Sequence, residues 1–205
     1  MTKNVVAIID YDAGNIKSVQ KAVEFLGYKT LVTRNREEIL NASHVILPGV
    51  GSFGDAMEHL ERYDLVSVIH EVVAKQIPLL GICLGLQLLF FDSDETPRIK
   101  GLGILPGHIR KIPGGKGLKI PHVGWNSLAF PKESRLFQGL DDQSFVYFVH
   151  SYYLQADEKQ MVAATTEYGV EIHAAVEYGN VFACQFHPEK SSSVGLKILD
   201  NFLHV

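Results

Sequence analysis

The sequence predicts an α/β fold: a central, mostly parallel sheet flanked by helices, with antiparallel strands added in its second half. Three observations lead there. Short β-branched apolar runs alternate with helix-periodic stretches through the first ninety or so residues, as strands buried on both faces and joined by helical crossovers do. One such run breaks sharply at Gly81-Ile82-Cys83-Leu84-Gly85 into a helix-like segment. Beyond about residue 95, glycines and prolines interrupt any long helix and short strand-like runs take over.

Val5-Val6-Ala7-Ile8-Ile9 is the first buried strand and ends in the turn-rich loop Asp10-Tyr11-Asp12-Ala13-Gly14-Asn15. Ile16, Val19, Val23 and Leu26 mark one face of a helix, with Gly27 as its stop. Thr30-Leu31-Val32 is a second strand, Glu37 to Leu40 a short helix, and Val45-Ile46-Leu47 a third strand closed by Pro48-Gly49-Val50-Gly51. Leu65, Val68, Ile69 and Val72 line another helix, which leads to the strand Pro78–Ile82 and then to a helix over Leu84–Phe91. Functional groups in such a sheet gather at the carboxyl ends of the strands.

In the second half, Leu128-Ala129-Phe130, Phe145–Val149, Met161–Ala164, Ala174-Ala175-Val176 and Val181-Phe182-Ala183 read as added antiparallel strands. A last helix runs from about Ser192 to Phe202 and buries Val194, Ile198, Leu199 and Phe202. No repeat or long linker divides the chain, so one domain is expected over 1–205.

Hydrophobic content of 46% and charged content of 20% are ordinary for a globular protein. A net charge of −4 and the lack of a basic block argue against a nucleic-acid or acidic-membrane binder. Met1-Thr2-Lys3-Asn4 runs directly into a strand pattern, so no signal peptide is expected. No apolar stretch is long enough to span a bilayer. Cys83 and Cys184 do not make a disulfide framework, and a reducing cytoplasm is the expected compartment. The nine histidines show no HExxH or CxxC-type spacing, so no metal is expected. His59 and His70 read as solvated helix residues.

The break around Cys83 has the form of a nucleophile elbow with cysteine in place of serine. The strand-to-helix turn lifts the sulfur above the sheet at a helix N-terminus, which favours the nucleophilic thiolate. A buried, inert cysteine is the competing reading. What favours the elbow is Gln185-Phe186-His187-Pro188-Glu189, which follows the strand at Val181. Pro188 restrains His187 to extended angles, and residues two apart in an extended segment project to the same side. His187 and Glu189 are thus a base and the carboxylate that orients it, the partners a cysteine nucleophile needs.

Together, Gly81-Ile82-Cys83-Leu84-Gly85-Leu86-Gln87 and Gln185-Phe186-His187-Pro188-Glu189 resemble the signature of the class I, or triad, glutamine amidotransferases. Asp10–Asn15, Pro48-Gly49-Val50-Gly51-Ser52-Phe53, Pro121-His122-Val123-Gly124-Trp125-Asn126 and Tyr147-Phe148-Val149-His150-Ser151-Tyr152 narrow the resemblance. They are similar to the glutaminase subunits of imidazole glycerol phosphate synthases.

That resemblance implies the rest. Cys83, His187 and Glu189 are the catalytic triad; Val50, Gly51 and the N–H of Leu84 supply the oxyanion hole. Gln87, Glu95, Gly51, His150, Ser151 and Tyr152 bind glutamine. No cofactor is implied. The expected partner is the (β/α)₈-barrel cyclase subunit of the synthase, in a heterodimer that uses the released ammonia to make imidazole glycerol phosphate and AICAR in histidine biosynthesis. Lys119, Pro121, His122, Trp125 and Asn126 are the expected interface. The oxyanion loop is expected to be misoriented until the partner binds its own ligand.

Three readings compete. Gly49-Val50-Gly51-Ser52-Phe53-Gly54 fits a dinucleotide-binding G-x-G-x-x-G, but it follows the third strand and lacks an acidic residue at the end of the next. A noncatalytic α/β binding protein is opposed by the intact cysteine, histidine and glutamate. Amidotransferases serving anthranilate, purine or pyridoxal phosphate synthesis differ chiefly in their acceptor.

Overall fold

A computed structural model describes residues 5–115 and 117–205. Met1–Asn4, which entered the signal-peptide reading, lies outside them. The first half runs β1 (Val5–Ile9), α1 (Ile16–Phe25), β2 (Lys29–Thr33), α2 (Arg36–Leu40), β3 (His44–Leu47), α3 (Phe53–Arg62), α4 (Leu65–Ala74), β4 (Leu79–Ile82) and α5 (Leu84–Leu88). The second half adds β5 (Gly107–Lys111), β6 (His122–Ser127), β7 (Phe145–His150), β8 (Tyr152–Ala156), β9 (Val162–Glu167), β10 (Glu171–Tyr178), β11 (Val181–Cys184) and α6 (Ser192–Leu203).

The main sheet has the order β2-β1-β3-β4-β11-β10-β8-β5, with β9 also paired to β10. The pairs from β2 through β11 are parallel, and those beyond it antiparallel. Alternation along each strand divides the core in two. Val6 and Ile8 face α1 and α6, packing with Val19, Val23, Ile198 and Phe202. Ala7 and Ile9 face the other way, with Leu60, Leu65, Ile69 and the apolar residues of α5. Strands β6 and β7 form a separate antiparallel ribbon. No described helix is long and apolar enough to cross a membrane.

The sheet departs from the sequence expectation in four ways. Val181-Phe182-Ala183 belongs to the parallel core, pairing in parallel with β4 and antiparallel with β10; apolar content alone does not encode direction. Leu128-Ala129-Phe130 is not a strand, and only Ala129 bridges, to Thr165. The helix after Cys83 stops at Leu88 rather than Phe91. There the chain 102–105 folds back and its amides take the carbonyls of Leu88, Leu89 and Phe90, removing the acceptors a longer helix would use. Strands β5, β6 and β8 have no counterpart in the sequence expectation, because charged, polar or glycine residues interrupt their apolar pattern.

Candidate active site

The carboxyl ends of β3, β4 and β11 converge on one cavity of about 300 Å³. At the end of β4, Cys83 adopts φ 55° and ψ −107°, a positive φ that a non-glycine residue holds only when its surroundings enforce it. They do. The Cys83 N–H donates to the Cys184 carbonyl at 2.8 Å, tying the elbow to β11. A Cβ on Gly85 would come within 1.9 Å of the Leu47 carbonyl oxygen, so only glycine lets the elbow seat against β3.

After β11, His187 is extended (φ −100°, ψ 96°), as expected, but Glu189 lies in a tight 3₁₀ turn over Pro188–Lys190. The pairing survives the different backbone. His187 Nδ1 donates to Glu189 Oε1 at 2.9 Å, and both side chains are almost wholly buried. With its Nδ1 proton so engaged, the ring leaves Nε2 for proton exchange. Burial opposes a charge on His187, but the Cys83 sulfur and the Glu189 carboxylate outweigh it and raise its pKa to about 9.

The residues expected to supply oxyanion donors lie at the cavity, but not all are aimed into it. Leu84 N–H donates to the Gly49 carbonyl at 3.3 Å. Gly49 O and Val50 N belong to one planar trans peptide and point in opposite directions, so the Val50 N–H faces away from Leu84. Val50 and Gly51 nonetheless line the cavity. Tyr11, buried beneath this loop, donates its hydroxyl to the Pro48 carbonyl at 2.7 Å.

Gln87, Glu95, His150, Ser151 and Tyr152 all line the cavity with Cys83 and His187. Glu95 Oε2 accepts the Phe53 N–H at 2.7 Å, at the start of α3, which fixes an acidic group on the cavity wall. His150 is buried, its Nδ1 bonded to the Tyr152 carbonyl at 2.9 Å and its Nε2 lying 3.0 Å from His122 Nδ1. Burial lowers both imidazoles to about 4, so each is neutral at ordinary pH.

The expected interface residues separate into three groups. Lys119, Pro121 and Trp125 are exposed. Asn126 is half-buried and bonded to the Glu167 carbonyl. His122 is 3% exposed, stacked against Tyr168 and Phe148, so it supports the ribbon from within rather than presenting itself. Val123, Phe145 and Val149 are exposed apolar residues on the ribbon with Trp125.

Asn15, Tyr11, Gln185 and Lys190 were not picked out from the sequence. Asn15 stands at the N-cap of α1 yet caps nothing; its Nδ2 donates to Glu189 Oε1 at 3.3 Å. Lys190, directly after Glu189, lines the cavity. His59, expected to be solvated, bonds the Tyr11 carbonyl through Nδ1 at 3.1 Å; His70 is exposed.

Residues 7–205 match the family described as glutamine amidotransferase class-I. The chain belongs to that family. Within it, the chain is 51% identical over 197 residues to imidazole glycerol phosphate synthase subunit HisH of Moorella thermoacetica, covering 96% of this chain and 93% of that one. The HisH subunit of Methanocaldococcus jannaschii is 48% identical over 201 residues, with coverage of 98% and 100%. Among solved structures, a glutamine amidotransferase aligns with a TM-score of 0.76 at 20% identity over 97% of both chains. PurLQS from Thermotoga maritima aligns with a TM-score of 0.75 at 20% identity over 99% of both. At such identities the solved structures speak for the fold.

Proposed function

We propose that this chain is the glutaminase subunit of an imidazole glycerol phosphate synthase, hydrolysing L-glutamine through Cys83 and delivering ammonia to a (β/α)₈-barrel cyclase. The observation that carries the reading is the strained elbow at Cys83 sharing one cavity with His187, whose ring is bonded from behind by the buried Glu189 carboxylate. The near 50% identity to HisH subunits over almost the whole chain supports the choice of acceptor.

The Cys83 thiolate attacks the side-chain amide carbon of glutamine. As the tetrahedral adduct collapses, the C–N bond breaks and His187 gives its proton to the leaving ammonia. The γ-glutamyl thioester is then attacked by water, which His187 deprotonates, and glutamate leaves with Cys83 restored. Glu189 holds the imidazole in the tautomer that both steps use, and Asn15 holds Glu189. Proton handling of this kind is worth roughly 10²–10⁴-fold in rate. Glu95, with its negative charge on the wall, suits the α-ammonium of glutamine, while Gln87 and the Gly51, His150, Ser151 and Tyr152 segment complete the pocket.

The oxyanion hole opens by rotating the Gly49–Val50 peptide. One rotation removes the Gly49 carbonyl from Leu84 N–H and brings the Val50 N–H in beside it. Gly49 and Gly51 flank that peptide. Losing one such donor costs roughly 10²–10³-fold, so the resting loop is a brake on hydrolysis.

The barrel docks on the exposed apolar face of the β6–β7 ribbon, where Trp125 is half exposed, with Lys119 and Pro121 beside it. Aromatic residues commonly anchor such interfaces. Delivery across a docked face keeps ammonia from protonating in bulk water. All 205 residues serve as one catalytic domain, working in the cytoplasm, where both cysteines stay reduced.

A chloroketone analogue of glutamine tests the assignment. It should add one equivalent to Cys83, and glutamine in the medium should slow the reaction. Addition at another residue, or addition indifferent to glutamine, would overturn it.

A further inference from the structure

Gln185 is fully buried between β11 and His187. Its Nε2 lies 3.6 Å from the Cys83 sulfur. Its Oε1 lies 3.0 Å from Gln87 Nε2, which in turn lies 3.3 Å from the Tyr152 carbonyl oxygen. These contacts allow only one arrangement of the two amides. A main-chain carbonyl accepts and never donates, so the Gln87 atom facing Tyr152 is nitrogen. That nitrogen donates to Gln185, so the Gln185 atom it meets is oxygen. The Gln185 atom left against the sulfur is therefore nitrogen. Turning either amide round sets oxygen against oxygen or leaves buried groups unpaired, which a buried site disfavours.

We propose that Gln185 is a further residue of the catalytic site: its amide N–H is a fixed donor to the Cys83 thiolate, and its carbonyl turns Gln87 so that Gln87 offers the pocket only an oxygen. The proposal rests on the reading of Cys83 as the glutaminase nucleophile. A bond from N–H to an ionised acceptor is about twice as strong as a neutral one, so the contact favours thiolate over thiol. It also acts from inside the fold, leaving the pocket side of the sulfur clear for the substrate carbon.

The second half follows from counting hydrogens. Both amide hydrogens of Gln87 are engaged, by Tyr152 and Gln185, so the group left for a ligand is Oε1, an acceptor. The carboxamide nitrogen of glutamine can donate to it. The carboxylate of glutamate cannot. One buried amide thus both readies the nucleophile and sets the pocket against its product.

Two substitutions separate these effects from simple packing. Gln185→Met keeps the length and removes both polar atoms; Gln185→Glu keeps the shape and replaces the donor with an acceptor. Alkylation of Cys83 by iodoacetamide is followed across pH in the full chain, with Cys83 and Cys184 scored on separate peptides. His187, Glu189, Tyr11 and Cys184 also bear on Cys83 and are common to all variants. The Met variant's profile should lie about one pH unit above that of the parent, about a ten-fold loss of rate on its thiol limb, and the Glu variant's should lie higher still. The preference for glutamine over glutamate should fall about ten-fold in the Met variant. A profile that superimposes on that of the parent would overturn the proposal. In the unsubstituted chain, the Gln185 side-chain amide resonances should move when Cys83 is alkylated, and immobile resonances would overturn it without any variant having to fold. Alkylation needs no turnover, so a displaced profile in a chain that stays without glutaminase activity even beside the liganded cyclase barrel would sink the glutaminase reading alone. Normal turnover with an undisplaced profile would sink the role of Gln185 alone.

Discussion

The Leu84 N–H donates to the Gly49 carbonyl, 3.3 Å away. The donor expected to meet a developing oxyanion is thus occupied by the loop that must supply the second donor. The Tyr11 hydroxyl holds the same loop through the Pro48 carbonyl. Tyr11→Phe removes that tie and should raise glutamine hydrolysis by the free chain several-fold, while hydrolysis in the stimulated complex changes less. Kinetics of the two forms check this, and a parallel fall in both would place Tyr11 in catalysis rather than in the brake.

Cys83→Ala should abolish glutamine hydrolysis, a loss on the order of 10⁴-fold or more, with folding and binding to the barrel retained. Circular dichroism, glutamate release and a binding titration check the three parts. Residual turnover near that of the parent would dispose of the thioester.

Asn15→Leu should lower kcat by roughly ten-fold with little change in KM. Asn15 bonds Glu189 from behind and is not part of the cavity wall. A charge-assisted hydrogen bond contributes about 1.5–3 kcal/mol, enough for such a loss. An effect confined to KM would remove Asn15 from the support of Glu189.

Trp125→Ala should raise the dissociation constant for the cyclase barrel by about ten-fold or more, leaving Cys83 alkylation unchanged. Its ring is half exposed and packs edge-on against Tyr147. An unchanged dissociation constant would move the docking face elsewhere.

Stability should fall on both sides of neutrality. Burial lowers His122 and His150 to about 4, against about 6.5 in an unfolded chain. The unfolded state therefore takes up protons first as pH drops, and stability declines from about pH 6.5 toward 4. His187 acts oppositely. Its raised value, about 9, adds stability that is full below about pH 6.5 and is lost as pH rises through 9. Urea midpoints measured across pH check both limbs. His122→Gln should flatten the acid limb, and an unaltered acid slope would contradict this.

What could be read from the residues follows the range of the interactions involved. The apolar runs placed β1, β3 and β4 to within a residue or so, because strands buried on both faces leave an unbroken apolar signal. Cys83, His187 and Glu189 stood out because elbow and His-Pro-Glu are local patterns. Gln185 lies one two-residue step before His187, the same step that links His187 to Glu189, so the same periodicity points to it. Asn15 gave no local sign: an asparagine before a helix reads as a cap, and only the fold shows its amide turned to Glu189. The direction of β11, the stop at Leu88 and the burial of His122 depend on partners far along the chain. The Gly49–Leu84 contact depends on one peptide's orientation, which composition does not encode.

The most direct test is glutamate release from glutamine by this chain alone, with the cyclase barrel, and with the barrel carrying its ribonucleotide ligand. Little release is expected alone and a large rise with the liganded barrel, as the Gly49–Val50 peptide turns and frees Leu84. Release by the isolated chain as fast as in the liganded complex would contradict the closed oxyanion hole.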